Sequence, residues 1–130
     1  MYQHHDLFRI EQRFDTTAAV VELHGEFDVL PAERLTLCLR NLAKCPQRDL
    51  IVDLRPATFI DASLLGVLCD AHEALRRDGR RLKVVATRPM TLRILRLCRL
   101  DHEFQILATL PVPDGLAATI GANGSPGPRL

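Results

Sequence analysis

The stretch that decides the fold runs from Leu50 to Leu68 and reads LIVDLRPATFIDASLLGVL. It begins with a short run of β-branched and leucine residues, which predicts a strand buried on both faces. Pro56 interrupts any regular element, and Phe59 and Ile60 return the chain to the core. A helical pattern follows at once. The stretch therefore predicts a strand, a loop and a helix N-terminus at the carboxyl end of a strand, where ligands and partners usually meet α/β sheets.

The predicted helix after this loop has a clear apolar stripe with intervals of three and four residues. The stripe consists of Leu65, Leu68, His72 and Leu75. Ser63 is the predicted N-cap, and Gly79 is expected to end the helix in the left-handed conformation. Gly66 indicates either close approach of a neighbouring element or a tolerated glycine. The amide-rich helix start would suit an anion, including a phosphate on Ser63 itself.

Length and composition indicate one globular domain, since the chain has 130 residues, of which 47% are hydrophobic. A net charge of +1 argues against nucleic-acid binding, and sparse aromatic residues without tryptophan provide no base-stacking surface. No apolar run reaches the length of a membrane span, and the N-terminus lacks the layout of a signal peptide. We expect a cytoplasmic protein that does not insert into membranes.

The four cysteines, Cys38, Cys45, Cys69 and Cys98, lie within apolar helical patterns and form no C-x-x-C pair. This distribution favours free core thiols over disulfides or a metal site. The five histidines have no metal-ligand spacing, and His72 lies on the apolar stripe, where a satisfied core histidine is the more common case. The sequence predicts no metal and no cofactor.

The remaining elements follow from alternation and helical periodicity. They are strands at Leu7–Phe14 and Ala18–His24, a helix from Pro31 to about Lys44, a strand at Leu82–Ala86, a helix carrying Leu92, Leu95 and Cys98, and an edge strand at Phe104–Leu107. The order β-β-α-β-α-β-α-β predicts an α/β fold, in which helices cover a small mixed sheet. The domain is expected to span residues 1–110, followed by a largely disordered Pro/Gly-rich tail at 111–130.

Sequence motifs of catalysis are missing. There is no Gly-x-Ser-x-Gly elbow, no P-loop and no Gly-x-Gly-x-x-Gly, so no catalytic residue is proposed and the chain is not expected to be an enzyme. Two arginine groups, within residues 76–81 and 93–99, could hold a phosphate or an acidic partner, or could be solvated helix ends and faces.

Two segments resemble a known family, the STAS domain of bacterial anti-sigma factor antagonists. They are VVELHGEFD at residues 20–28 and FIDASLLGVL at residues 59–68, with Asp53-Leu54 between them. The usual family forms are Gly-Glu-Leu-Asp after the second strand and Asp-Ser-Ser/Thr-Gly-Leu-Gly at the second helix. The likeness extends from about Phe8 to Leu107, in the same order of elements.

The resemblance implies a binding protein that works as a switch. In that family, the unphosphorylated antagonist binds an anti-sigma factor, often a serine kinase, and thereby frees a sigma factor. The kinase phosphorylates a serine at the second helix, and a PP2C-type phosphatase restores it. Carried over to matching positions, the partner-binding residues are Asp28, Asp61, Ala62, Ser63 and Leu64.

This chain departs from the family pattern at two positions. Ala62 occupies the position of the usual phosphoacceptor hydroxyl, so Ser63 is the candidate phosphoacceptor, and Leu64 replaces a glycine. Ser63 could instead be only an N-cap, and Asp28 and Asp61 could be only turn and capping residues. The chain could also be a phosphorylation-independent STAS subunit of a transporter or stress-sensing assembly, or a nucleotide- or anion-binding module.

Overall fold

A computed structural model describes residues 8–14, 17–27, 29–45 and 49–111, and the account below concerns these residues. Asp15 and Thr16 between the first two predicted strands, the candidate residue Asp28 and the predicted tail beyond residue 111 lie outside them. In chain order the elements are β1 (Phe8–Phe14), β2 (Ala18–Phe27), α1 (Val29–Ala43), β3 (Asp49–Asp53), β4 (Ala57–Ile60), α2 (Ala62–Arg76), β5 (Lys83–Val85), α3 (Pro89–Leu97), α4 (Leu100–Glu103) and β6 (Gln105–Leu107).

The strands form one mixed sheet in the order β1-β2-β3-β5-β6, with β4 paired to β2. Strand β1 is antiparallel to β2, and β3, β4, β5 and β6 join through parallel pairs. On the side away from β1, β2 pairs with β3 along its first half and with β4 along its second half. The predicted α/β fold with a small mixed sheet is confirmed.

The main core lies on one face of the sheet. Every described helix contributes side chains to this one buried cluster. Alternate residues of β2, namely Ala19, Val21 and Leu23, face this cluster. The helices add Leu35 and Leu39 from α1, Leu64, Leu68, Ala71 and Leu75 from α2, Leu95 from α3 and Leu100 from α4. Burying a leucine side chain fully stabilises the folded state by about 1.5–3 kcal/mol, so this cluster is the main source of stability.

The opposite face of the sheet carries a small apolar cluster and several ion pairs. The cluster consists of Ala18, Val20, Ile51 and Val85. Beside it, the buried carboxylate of Asp53 accepts from the backbone N and Nε of Arg55 at 3.0 Å and from Nη2 at 2.8 Å. The side-chain hydrogen bonds to Asp53 raise the pKa of the Arg55 guanidinium. The predicted burial of β3 on both faces is confirmed, and the pairing with Arg55 explains how it includes an aspartate.

Strand β4 is absent from the elements that the sequence predicts. The sequence predicts a connecting loop after Pro56, but Ala57–Ile60 pair in parallel with the end of β2. Strand β2 is also longer than predicted and continues past His24 to Phe27. Its register shifts between Gly25 and Glu26, and Gly25 has φ +92°. The burial of β4 does not alternate, since Thr58 and Phe59 are both exposed, so only the tertiary pairing reveals the strand. The short helix α4 is also absent from the predicted elements, because four residues are too few to show a helical stripe.

Several residue-level predictions have clear outcomes. Gly79 has φ +73° and ends α2 as expected, with Arg80 N donating to Leu75 O at 3.0 Å. Gly66 has no neighbour within 4 Å of a Cβ built there, so the close-approach alternative is wrong. His72 is a satisfied core histidine, because its Nδ1 accepts from Leu82 N at 3.1 Å.

The expectation of core thiols is wrong for two of the four cysteines. Cys69 and Cys98 are exposed, whereas Cys38 and Cys45 are partly buried. Desolvation raises the pKa of the Cys38 and Cys69 thiols. Cys69 lies at the margin of the apolar stripe of α2, and Cys98 is the C-cap residue of α3. At such positions residue type alone does not distinguish a core residue from a surface one.

None of the helices in the described part of the chain is both long and apolar enough to cross a bilayer.

Candidate functional site

The pairing of β4 with β2 brings the two motif segments together. Phe27, the last residue of β2, lies opposite Ile60, and Gly25 N donates to Pro56 O at 3.2 Å. The segment Gly25–Phe27 therefore lies beside the residues that lead into α2, at the carboxyl ends of two parallel strands. Asp28 follows directly on Phe27 but is outside the described residues, so its predicted role remains a prediction.

The N-cap of α2 is Asp61, which corrects the predicted cap at Ser63. Asp61 has extended backbone angles (φ −136°, ψ −171°), and its Oδ1 accepts from Ser63 N at 2.9 Å and from Leu64 N at 3.3 Å. A cap must precede the first helical residue, which is Ala62, so Ser63 already lies inside the first turn. The Ser63 hydroxyl forms no hydrogen bond with any residue in the described ranges.

The three residues after the cap differ in exposure. Ala62 is exposed and Ser63 is partly buried, so both reach the surface at the start of α2. Leu64 is 0% exposed and packs in the core with Leu68 one turn later. A partner cannot contact the Leu64 side chain, so among the predicted partner-binding residues Leu64 is a core residue that anchors the helix start.

The electrostatics of this helix start differ from the predicted open anion site. The Asp61 carboxylate already occupies two first-turn amides, those of Ser63 and Leu64. A bound anion would have to displace this carboxylate or lie next to it. The arrangement therefore favours a site at which added negative charge would disturb the Asp61 cap, rather than a site that binds a free nucleotide.

A surface groove of about 410 Å³ lies next to this helix start, between β4 and α3. Its apolar lining includes Phe59, Ile60, Met90 and Ile94. Phe59 was expected to return to the core, but it is 51% exposed, and Met90 is 66% exposed. A second groove, of about 370 Å³, lies between α1 and α2 and includes no residue of the first turn of α2. The β4–α3 groove was missed because its walls come from elements distant in sequence.

One cluster on the opposite face has ligand atoms suited to a cation. Ligand atoms of Glu11, Glu22 and His24 lie within 4.8 Å of one another, because Glu11 and Glu22 are cross-strand partners in the β1–β2 ladder. Spacing along the sequence gave no sign of this cluster. Arg9 binds Glu11 and Arg13 binds Glu22, so the guanidinium groups already neutralise both carboxylates and a divalent cation would have to displace them.

The comparisons with known proteins agree on the fold. A family model described as "STAS domain" matches residues 9–111. An anti-sigma factor antagonist from Mycobacterium paratuberculosis has a similar structure, with a TM-score of 0.73 and 27% identity over 87% of this chain and 94% of that chain.

The anti-sigma factor antagonist SpoIIAA in its unphosphorylated form has a TM-score of 0.62 at 14% identity, over 89% of this chain and 98% of that chain. The phosphorylated form of SpoIIAA, the Bacillus cell fate determinant, has a TM-score of 0.61 at 16% identity, over 86% and 96% of the two chains. At these identities the two SpoIIAA structures show the fold alone.

Proposed function

Because the chain belongs to the STAS domain family, we propose that it is a non-enzymatic anti-sigma factor antagonist. It binds an anti-sigma factor through the surface where the end of β2 meets the start of α2, and so releases a sigma factor. The observation that carries the proposal is the β2–β4 pairing, which brings both family motifs to one exposed edge next to Ala62 and Ser63. The similarity to the mycobacterial antagonist over nearly its whole length supports this role.

We further propose that Ser63 is the phosphoacceptor of a kinase-type anti-sigma factor, with a PP2C-type phosphatase reversing the reaction. Support comes from the partial exposure of Ser63 and from its hydroxyl, which bonds to no described residue. A phosphate there adds about −1.5 to −2 charge next to the Asp61 carboxylate. An acidic partner surface would be repelled, and the phosphate would compete with Asp61 for the helix amides.

A titration of the purified chain against each purified anti-sigma factor of its host tests the binding. We expect Ser63→Glu to weaken binding to the cognate factor at least tenfold, about 1.4 kcal/mol, and Ser63→Ala to retain it. Asn41→Glu, which adds the same charge at the far end of α1, is the matched control and should bind as the unmodified chain does. If the unmodified chain and the three variants all bind the factor with equal affinity, this surface is not the binding surface.

Intact-mass analysis after incubation with ATP and the cognate factor tests the phosphorylation. A gain of one phosphate that disappears in Ser63→Ala would support the switch. A gain that persists in Ser63→Ala would assign the phosphate to another residue.

Ala62 favours a second candidate function, a STAS subunit that binds constitutively within a transporter or stress-sensing assembly. Ala62 is exposed at the position where the family usually has its acceptor hydroxyl. No mass change with any host kinase, combined with stable co-purification with such an assembly, would select this candidate.

A further inference from the structure

The groove between β4 and α3 has two walls that leave large apolar side chains in solvent. Phe59 on β4 is 51% exposed, and Met90 in the first turn of α3 is 66% exposed. Ile60 and Ile94 extend the same apolar lining. Paired exposed apolar walls around a volume of about 410 Å³ leave room for a large apolar side chain of a binding partner.

The segment that supplies the α3 wall of this groove is rich in positive charge, although Arg80 and Arg81 bind backbone carbonyls of other segments. The segment 79–100 contains seven arginine and lysine residues and no acidic residue, although the whole chain has a net charge of only +1. Lys83 Nζ donates to Asp49 Oδ2, and Arg80 Nη1 lies 3.6 Å from Asp78 Oδ2. Arg88 and the arginines of α3 form no ion pair with a carboxylate of the described residues. Helix α3 also has no acidic residue in its first turn and no side-chain cap.

Helical geometry separates these arginines by direction. Residues of α3 advance by about 100° each, so Arg93 projects close to Met90, whereas Arg96 projects away from the groove. Arg88 lines the groove itself, and its Nε donates to Arg55 O at 3.1 Å. Arg88 therefore lines the apolar opening, Arg93 lies about 60° around the helix from Met90, and Arg96, which is also exposed, lies about 120° away from it.

We propose that this groove, defined by Phe59, Ile60, Met90 and Ile94, binds an acidic segment of the anti-sigma factor that carries a large apolar side chain. The apolar side chain enters between Phe59 and Met90, and carboxylates on either side of it pair with Arg88 and Arg93. Ile60 lies next to Asp61, so the groove continues directly into the surface at the start of α2. The inference rests on the proposed function and identifies the chemistry of the partner.

The first experiment does not need the natural partner. Amide ¹H–¹⁵N spectra of the full chain are recorded with a hexapeptide that has a central Phe-Leu pair between two acidic residues on each side. We expect shift changes in residues 57–60 and 88–94, weakened by salt and lost in Arg88→Glu/Arg93→Glu. The same peptide with lysines in place of the acidic residues should bind at least tenfold more weakly. Shifts elsewhere, or equal binding of both peptides, would overturn the proposal.

The second experiment uses the cognate anti-sigma factor. Phe59→Ser/Met90→Ser should weaken its binding at least tenfold and Arg93→Glu about fivefold. The matched controls are Arg96→Glu on the same helix and Leu37→Ser, an apolar side chain 64% exposed on α1. Both should bind within about twofold of the unmodified chain. Circular dichroism confirms that each variant is folded.

The outcomes separate the two proposals. If Ser63→Glu abolishes binding while the groove variants bind normally, the groove assignment fails and the antagonist function stands. If no anti-sigma factor binds the unmodified chain, the proposed function fails, and the peptide experiment still decides the chemistry of the groove. Dimerisation of the chain, or binding to phosphatidylglycerol vesicles, that the groove variants abolish would overturn the proposal by assigning another occupant.

Discussion

Asp61 and Ser63 lie two positions apart at the start of α2 and have different structural roles. Asp61 has extended backbone angles, and its carboxylate accepts from two amides of the first turn. Ser63 is helical, and its hydroxyl makes no hydrogen bond with a described residue. The capping role therefore belongs to the acidic residue of the motif, which leaves the serine hydroxyl available for the proposed modification.

This division of roles predicts different effects on stability. Asp61→Ala should lower the free energy of unfolding by about 1 kcal/mol, because two helix amides lose their acceptor, and Asp61→Asn should restore most of it. Ser63→Ala should change it by less than about 0.5 kcal/mol. Urea unfolding followed by far-UV circular dichroism measures both, since the chain has no tryptophan. A larger loss for Ser63→Ala than for Asp61→Ala would contradict the capping assignment.

At the scale of elements, β4 determines where the site forms. Its four residues extend the sheet beyond β3 along the second half of β2, and they lead directly into the cap of α2. The bulge at Gly25, with φ +92°, belongs to the same contact. A loop in place of β4 would not hold Gly25–Phe27 next to the start of α2, because β4 is the described strand that both pairs with the end of β2 and leads into α2.

Helix α2 allows a test with two glycines in opposite environments. Gly66 is exposed in the helix interior, so Gly66→Ala should raise the free energy of unfolding by about 0.5–1 kcal/mol. Gly79 ends the helix at φ +73°, so Gly79→Ala should lower it by about 1 kcal/mol. The shifts in urea midpoint should have opposite signs. A destabilising Gly66→Ala would mean that the helix backbone is closely approached there after all.

At the scale of the whole molecule, the helices share one core cluster on a single face of the sheet. The cluster includes residues from β2 through Phe104, and Cys38 of α1 packs at its margin. No described helix has a separate core, so local opening of one helix exposes apolar surface that belongs to all of them. Unfolding of such a domain is expected to be cooperative.

Thiol reactivity measures this cooperativity. In a Cys45→Ser/Cys69→Ser/Cys98→Ser variant, pulsed alkylation with iodoacetamide at pH 7 reports on Cys38 alone. Its pKa is raised by burial, so the native thiol stays protonated and reacts slowly. The urea midpoint for Cys38 labelling should coincide with the midpoint measured by circular dichroism. A labelling midpoint at a clearly lower urea concentration would show that α1 opens independently of the sheet.

The sequence determined most of the fold, since alternation in β1 and β2, the apolar run of β3 and the helical stripes are local signals of what each segment buries. It also located the exposed start of α2, because a proline and an apolar pair precede a cluster of capping residues there. Only the tertiary structure decided which residue caps that helix, that Leu64 is buried, and that Phe59 lines a groove rather than the core. The start of α2 depends on where β4 ends, and the burial of Leu64 and the exposure of Phe59 depend on the core cluster and on the parallel pairing of β4 with β2. Such contacts join residues far apart in the chain, and no periodicity within a short segment encodes them.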